Sequence, residues 1–249
     1  MAGFIKQIHT LINEADIILE ILDARFPQRT RNERIEKIII SKGKKLVIAI
    51  NKSDLVTKKE INDAKAELIK TTSVRVVFVS AKEKNGIKLL KREISIAKGK
   101  NKDLVIGLLG YPNAGKSTII NGLSGKGKGK VRTSSKAGYT RGLQRIKISE
   151  GIYLIDAPGI IPYEERDDFE LFLLGARNAN QLQDIEGAAL KLIQEMGEKI
   201  KKTFNVDGDD EDEILDAIGK NKCFLKSGGK IDTAKTGRFL LEEYQKNNI

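Results

Sequence analysis

Apolar residues along this chain follow two rhythms. Continuous runs at 17–22, 46–50 and 74–79 each stop at a polar or turn residue and predict buried strands. Between them, segments 31–41, 57–69 and 86–96 repeat apolar residues every third or fourth position, the spacing of amphipathic helices. Alternation of the two predicts a parallel sheet covered by helices. A polar bridge at 97–103 precedes another strand-like run at 104–109. Residues 143–149 then alternate like a strand, and 152–155 add a short one. Beyond Pro162 the rhythm changes. From about Glu164 only helical patterns occur, at 168–176, 182–202, 211–218 and 232–245, punctuated by Gly208, Gly219 and Gly228-Gly229. The expected architecture is an α/β domain over residues 1–163 followed by a small all-α domain over 164–249.

Composition narrows the class. The chain has 249 residues, 40% of them apolar, enough for a real core. No apolar run approaches the ~20 residues of a membrane span, and no secretory signal pattern opens the sequence. One thiol, Cys223, makes no internal disulfide, so a reducing, cytoplasmic setting is expected. Flanked by Lys222 and Phe224, it reads as a core thiol. Forty-five Lys and Arg against thirty-four Asp and Glu give a net charge of +11, which favours polyanionic partners such as nucleic acid. The basic charge is concentrated. Between Lys126 and Lys147 lie eight basic residues and no acidic one, and Lys126-Gly127-Lys128-Gly129-Lys130 is too Gly-rich to order by itself. No RNA-recognition signature accompanies it, so such an arm would meet backbone phosphates rather than read bases. The acidic run 207–213 reads as a helix opening, where negative side chains suit the dipole.

Candidate chemistry begins at Gly110-Tyr111-Pro112-Asn113-Ala114-Gly115-Lys116-Ser117, which fits G-x-x-x-x-G-K-[ST]. It follows an apolar strand and opens a helical pattern, continuing into Thr118. Chance supplies such a pattern in roughly one chain in a hundred of this length. Backbone N–H groups of a Gly-rich loop wrap a phosphate, and the helix N-terminus adds its positive end. Lys116 would reach the β- and γ-phosphates and Ser117 would hold Mg²⁺.

Asn51-Lys52-Ser53-Asp54 follows the 46–50 strand. The Asp54 carboxylate can accept from N1–H and the exocyclic amine of guanine together, which adenine cannot match. Asn51 can bond the purine edge and buttress the loops, and the Lys52 stem can lie along the base. Ser80-Ala81-Lys82, at the end of the next strand, would supply a backbone N–H to guanine O6. All these loops leave the carboxyl ends of predicted parallel strands, where such sheets bind ligands. Asp156-Ala157-Pro158-Gly159 completes the set: Asp156 can reach the Mg²⁺ shell, and the Gly159 N–H can sense a γ-phosphate. Thr140, in Gly138-Tyr139-Thr140, is the candidate switch threonine on Mg²⁺.

These elements resemble the five signature motifs of GTPases, with the base-reading pair first and the phosphate-reading set second. That order resembles the circularly permuted GTPases, and among them the ribosome-assembly GTPases. Asp23-Ala24-Arg25-Phe26-Pro27, with Arg31-Asn32 after it, is similar to that family's Asp-Ala-Arg signature and the Arg-Asn that follows. A plainer reading of the triplet is a strand end capping the next helix. The resemblance implies a Ras-like P-loop fold with a mostly parallel sheet, binding of GTP and GDP with Mg²⁺, and hydrolysis by water attack on the γ-phosphate. In that chemistry Lys116, Thr140 and Gly159 would act on the phosphates. It also implies rRNA and a pre-ribosomal particle, of the large subunit, as partners, with no membrane. Two other readings stay open: a nucleotide-gated RNA-binding module with incidental hydrolysis, and a GTP switch on a membrane or protein effector.

After Gly159 come Ile160-Ile161-Pro162, where no polar side chain can orient water. This resembles the hydrophobic-substituted GTPases and implies slow turnover that a partner accelerates. Asn113 matches the position that in related enzymes helps hold K⁺ near the phosphates. Because the permuted order runs the Asp156–Gly159 loop straight into the helical tail, a γ-phosphate acting on Gly159 is expected to reorient residues 164–249. His9, the only histidine, reads as a helix-surface residue.

Overall fold

The computed structural model describes residues 2–99, 101–124, 145–156 and 167–249. The chain divides into two compact units, Met1–Tyr163 and Glu164–Ile249.

The first unit is built on six strands: β1 (Ile17–Asp23), β2 (Lys45–Asn51), β3 (Arg75–Phe78), β4 (Leu104–Gly110), β5 (Arg145–Ser149) and β6 (Ile152–Asp156). Their order in the sheet is β3-β2-β1-β4-β6-β5, parallel throughout except for β5, which pairs antiparallel with β6. The mostly parallel, helix-covered sheet is the one the apolar runs predict. β1 is buried along all seven residues, as a central parallel strand must be.

The helices are α1 (Ala2–Glu14), α2 (Pro27–Thr30), α3 (Glu33–Ser41), α4 (Lys58–Thr71), α5 (Ile87–Lys98) and α6 (Lys116–Ser124). Their starts follow capping chemistry. The Asn32 side chain accepts from Ile35 N–H, so α3 begins two residues later than its apolar pattern does. Thr57 and Glu60 form a reciprocal capping box on α4. Leu11 and Ile12 of α1 pack with Ile18, Ile35, Ile39, Leu46 and Leu109. The close seating of α1 depends on Gly107 in β4, where a Cβ would lie 2.7 Å from both Ile18 Cδ1 and Leu11 Cδ2. A second cluster, Leu22, Ile48, Ile50 and Leu68, carries α4. α5 and α6 pack on one another, with Gly122 facing Ile87.

The second unit is helical: α7 (Asp168–Leu173), α8 (Ile185–Phe204), α9 (Glu211–Asn221) and α10 (Thr233–Gln245). Each begins at an aspartate, Asp167, Asp184, Asp210 or Asp232, whose carboxylate accepts a first-turn N–H. The acidic run before residue 213 is thus the cap and first turn of α9. α8 packs on α9 and α10 and bends at Met196, whose φ and ψ leave the helical region. Tyr244 of α10 is buried against Phe172 and donates its hydroxyl to Leu173 O at 2.5 Å.

Two expectations are corrected here. Cys223 is exposed, not in the core: it sits just past the C-cap of α9 with φ +55°, a turn position that points its side chain outward. α7 stops at Leu173, before the expected end at residue 176, because the chain turns at Gly175, whose N–H returns to Phe172 O.

A candidate nucleotide site at the carboxyl ends of the strands

Strand order reverses between β1 and β4, the switch point at which a doubly wound sheet opens a crevice. The loops leaving β2, β3 and β4 there carry motifs found in the sequence, and β6 ends at Asp156.

The loop after β4 turns through Asn113 at φ +56° and Gly115 at φ +95° before α6 begins at Lys116. Gly115 has no substitute. A Cβ there would lie 2.1 Å from Asn51 Nδ2, on a backbone that L side chains rarely adopt. Lys116 Nζ folds back over the loop and donates to Gly110 O and Tyr111 O, each at 3.1 Å. Ser117 and Thr118, in the first turn of α6, are exposed, as is Asn113.

Asn51, the last residue of β2, ties three loops together. Its Nδ2 donates to Ala114 O at 3.0 Å, and its Oδ1 accepts from Ala81 N–H at 3.1 Å. Its side chain is therefore a buried brace between the base-reading and phosphate-reading loops. That brace narrows which N–H of Ser80-Ala81-Lys82 can face guanine O6. The Ala81 N–H is committed to Asn51 and the Ser80 N–H to Asn85 O, whereas the Lys82 N–H meets no acceptor among the described residues. Asp54 is exposed on the short turn Ser53–Leu55 that follows Lys52.

Lys52 stands in the left-handed region, φ +63°, with its ammonium 2.8 Å from Asp23 Oδ2. Asp23 ends β1 directly beside Asn51 in register, and its carboxylate also accepts from Arg25 N, Nε and Nη2 at 2.8–3.0 Å. Burial would raise the Asp23 pKa, but Arg25 and Lys52 outweigh it and hold it down at about 2. Burial lowers the Lys52 pKa, with Asp23 opposing. Asp23 caps no helix: the N-cap of α2 is Phe26, with no side-chain bond.

Arg31 and Asn32 belong to a second buried cluster that the sequence reading left unassigned. Arg31 pairs with Glu36 through Nε at 2.5 Å and Nη2 at 2.8 Å, and Asn32 N–H donates to Glu20 Oε1 at 3.0 Å. Glu20, in the middle of β1, is buried and lines a small cavity with Gly110 and Tyr111. Desolvation first, and Glu36 beside it, push its pKa well up. The signal for this cluster was a lone glutamate inside an apolar run.

Asp156 ends β6, in register with Leu108 of β4. Thr140, Gly159, the Ile160-Ile161-Pro162 segment and the basic stretch up to residue 144 lie outside the described residues. Among the described residues, no group of three or more His, Cys, Asp or Glu could hold a metal ion, and no helix is long and apolar enough to cross a membrane.

Two family models match the chain: 50S ribosome-binding GTPase over residues 105–221 and ferrous iron transport protein B over residues 5–94. The chain is 38% identical to an uncharacterized GTP-binding protein of Methanocaldococcus jannaschii, aligning 98% of itself with 65% of that protein. It is 30% identical to ribosome biogenesis GTPase A of Priestia megaterium over its whole length and 92% of that protein. The GDP-bound structure of YlqF from T. maritima superposes with a TM-score of 0.67 at 22% identity, covering 97% of this chain and 95% of that one. Motif order, strand order and near full-length similarity agree: the chain belongs to the circularly permuted GTPases of the ribosome biogenesis GTPase A type.

Proposed function

We propose that the protein binds GTP and GDP in this crevice and hydrolyses GTP as a switch in assembly of the ribosome, acting on the large subunit. The observation that carries this reading is the Asn51 brace, which joins three motifs far apart in sequence into one site. Asp54 reads N1–H and the exocyclic amine of guanine, and the Lys82 N–H, rather than that of Ala81, donates to O6. The Lys52 stem lies along the ring. The loop from Asn113 to Ser117, with Thr118 behind it, wraps the phosphates. Lys116 has to leave the carbonyls of Gly110 and Tyr111 to meet them, a short rotation for a flexible chain.

The residues suit Mg²⁺ bound with the nucleotide. Ser117 at the start of α6 would offer a hydroxyl, Asp156, the last residue of β6, a carboxylate, and Thr140 a second hydroxyl. The phosphates and water supply the remaining oxygen ligands, the usual arrangement for this ion. Held by Ser117, Thr140 and Asp156, Mg²⁺ would offset the negative charge that grows on the phosphates as water attacks. The chain itself orients the γ-phosphate through Lys116 and senses it at Gly159. With aliphatic residues after Gly159, turnover is slow until a partner supplies the missing polar group, and Asn113 supports a further role for K⁺.

The net charge of +11 and the basic stretch from Lys126 support contact with rRNA phosphates in a pre-ribosomal particle, in the cytoplasm. Residues 1–163 act as the GTPase domain and 164–249 as its helical output.

The test is GTP hydrolysis with and without purified ribosomal subunits, in K⁺ and in Na⁺ buffer, with Lys116→Ala as control. Stimulation by the large subunit, lost in the control, is the expected result. Tight GTP binding with no stimulation by either subunit would leave a nucleotide-gated binding module instead.

A further inference from the structure

We propose that Asp23 is the positioning residue of the base-reading loop, its carboxylate fixing Lys52 so that the lysine stem is already laid out for a guanine ring. The proposal rests on the nucleotide reading above.

Strand register brings the two loops together. Asp23 and Asn51 face each other as the last paired residues of β1 and β2, and Ala24 N–H donates to Asn51 O at 2.8 Å, so the two strand ends are locked side by side. The next residue of β2, Lys52, turns into the left-handed region, which swings its side chain back toward β1. There its Nζ meets Asp23 Oδ2 at 2.8 Å. A free lysine samples many rotamers, and holding one of them costs conformational entropy at the moment of binding. The Asp23 contact removes that freedom beforehand, which is preorganisation.

Arg25 completes the device. It grips the same carboxylate through Nε and Nη2, so Asp23 cannot follow Lys52 outward. Only 6% of the Arg25 side chain, 4% of the Asp23 side chain and 18% of the Lys52 side chain are exposed, so water competes weakly for these bonds. A buried ion cluster is an expensive way to end a strand, since apolar residues of similar size often serve stability as well. What the cluster adds is a fixed Nζ. The Asp23-Ala24-Arg25 triplet thereby acquires a role in nucleotide binding without touching the nucleotide.

The experiment is a double-mutant cycle on the full chain, reading GDP affinity by calorimetry and thermal unfolding for each variant. Asp23→Asn is expected to weaken GDP binding by roughly tenfold, the scale of one lost hydrogen bond to a charged group. Lys52→Ala should cost a similar factor, and the double variant no more than Lys52→Ala alone. A structural role would lower the unfolding temperature without that non-additivity. Should Asp23→Asn fail to fold, Asp23→Glu keeps the charge while displacing the contact, and the same non-additivity is expected. Unchanged GDP affinity in a folded Asp23 variant, or a double variant losing the product of both factors, overturns the proposal. Lys116→Ala separates the two levels: if it binds GDP like the wild type, the nucleotide reading itself falls and takes the proposal with it.

Discussion

Replacing Asn51 offers a graded probe of the brace that unites the site. Asn51 is 3% exposed, and the residues it holds, Ala114 and Ala81, are 1% and 6% exposed. In Asn51→Ala a buried carbonyl and a buried N–H lose their partners together. An orphaned buried group costs about 1–3 kcal/mol, so the pair together costs roughly 2–6 kcal/mol. For a unit of this size that lowers the unfolding temperature by roughly 4–24 °C. Asn51→Asp is the sharper test. A carboxylate still accepts from Ala81 N–H, but its second oxygen replaces Nδ2 at 3.0 Å from Ala114 O. At neutral pH it adds repulsion and a buried charge to one lost bond, so it should be at least as damaging as alanine. Burial and the facing carbonyl raise the new carboxyl's pKa, so its stability deficit shrinks as pH falls and the protonated acid donates to Ala114 O. Urea unfolding of both variants between pH 5 and 8, with GDP affinity in parallel, checks this. An aspartate variant as stable as the wild type with no pH dependence would refute the brace.

Gly115→Ala should unfold or greatly weaken the phosphate loop, because its Cβ meets Asn51 Nδ2 at 2.1 Å; pairing it with Asn51→Ala should restore part of the loss, read as unfolding temperature. Glu20→Gln should stabilise the protein at neutral pH. Since the folded Glu20 pKa is raised, wild-type stability is full below the unfolded value and declines as pH rises through the folded one, a decline the glutamine variant should lack in pH-dependent unfolding. Tyr244→Phe removes the buried bond to Leu173 O and should cost about 1–3 kcal/mol, visible as faster hydrogen exchange in α7 with the first unit unaffected.

Most of the first unit could be read from the sequence because parallel strands buried on both faces leave unbroken apolar runs, and each motif loop follows one of them. Helix ends were less legible. Asn32 and Asp184 set the starts of α3 and α8 by side-chain capping, two or three residues inside the apolar pattern. α2 has too few residues for a period, and its one mark is Pro27 at the first helical position. Cys223 misled because apolar character suggested burial, whereas the turn after α9 dictates direction. Asp23 and Lys52 belong to separate motifs, and only the pairing of Asp23 with Asn51 puts them in contact. A register argument from the strand ends could have found them. The Asn51 bridge was anticipated as a buttress, but its claim on the Ala81 N–H was not, because that depends on side-chain geometry alone.

The place of β1 has a consequence for how the chain is made. Its hydrogen-bonding edges are taken by β2 on one side and β4 on the other, so the sheet's midline joins two stretches of sequence that leave the ribosome one after the other. Until residues 104–110 emerge, the nascent chain carries a seven-residue, mostly apolar strand edge with nothing beside it, the kind of surface that recruits foreign strands. The amino-terminal half cannot be finished alone, and the arrival of β4, bearing the phosphate loop, closes the exposed edge. In this order of synthesis the step that protects the newborn protein from aggregation also assembles its binding crevice.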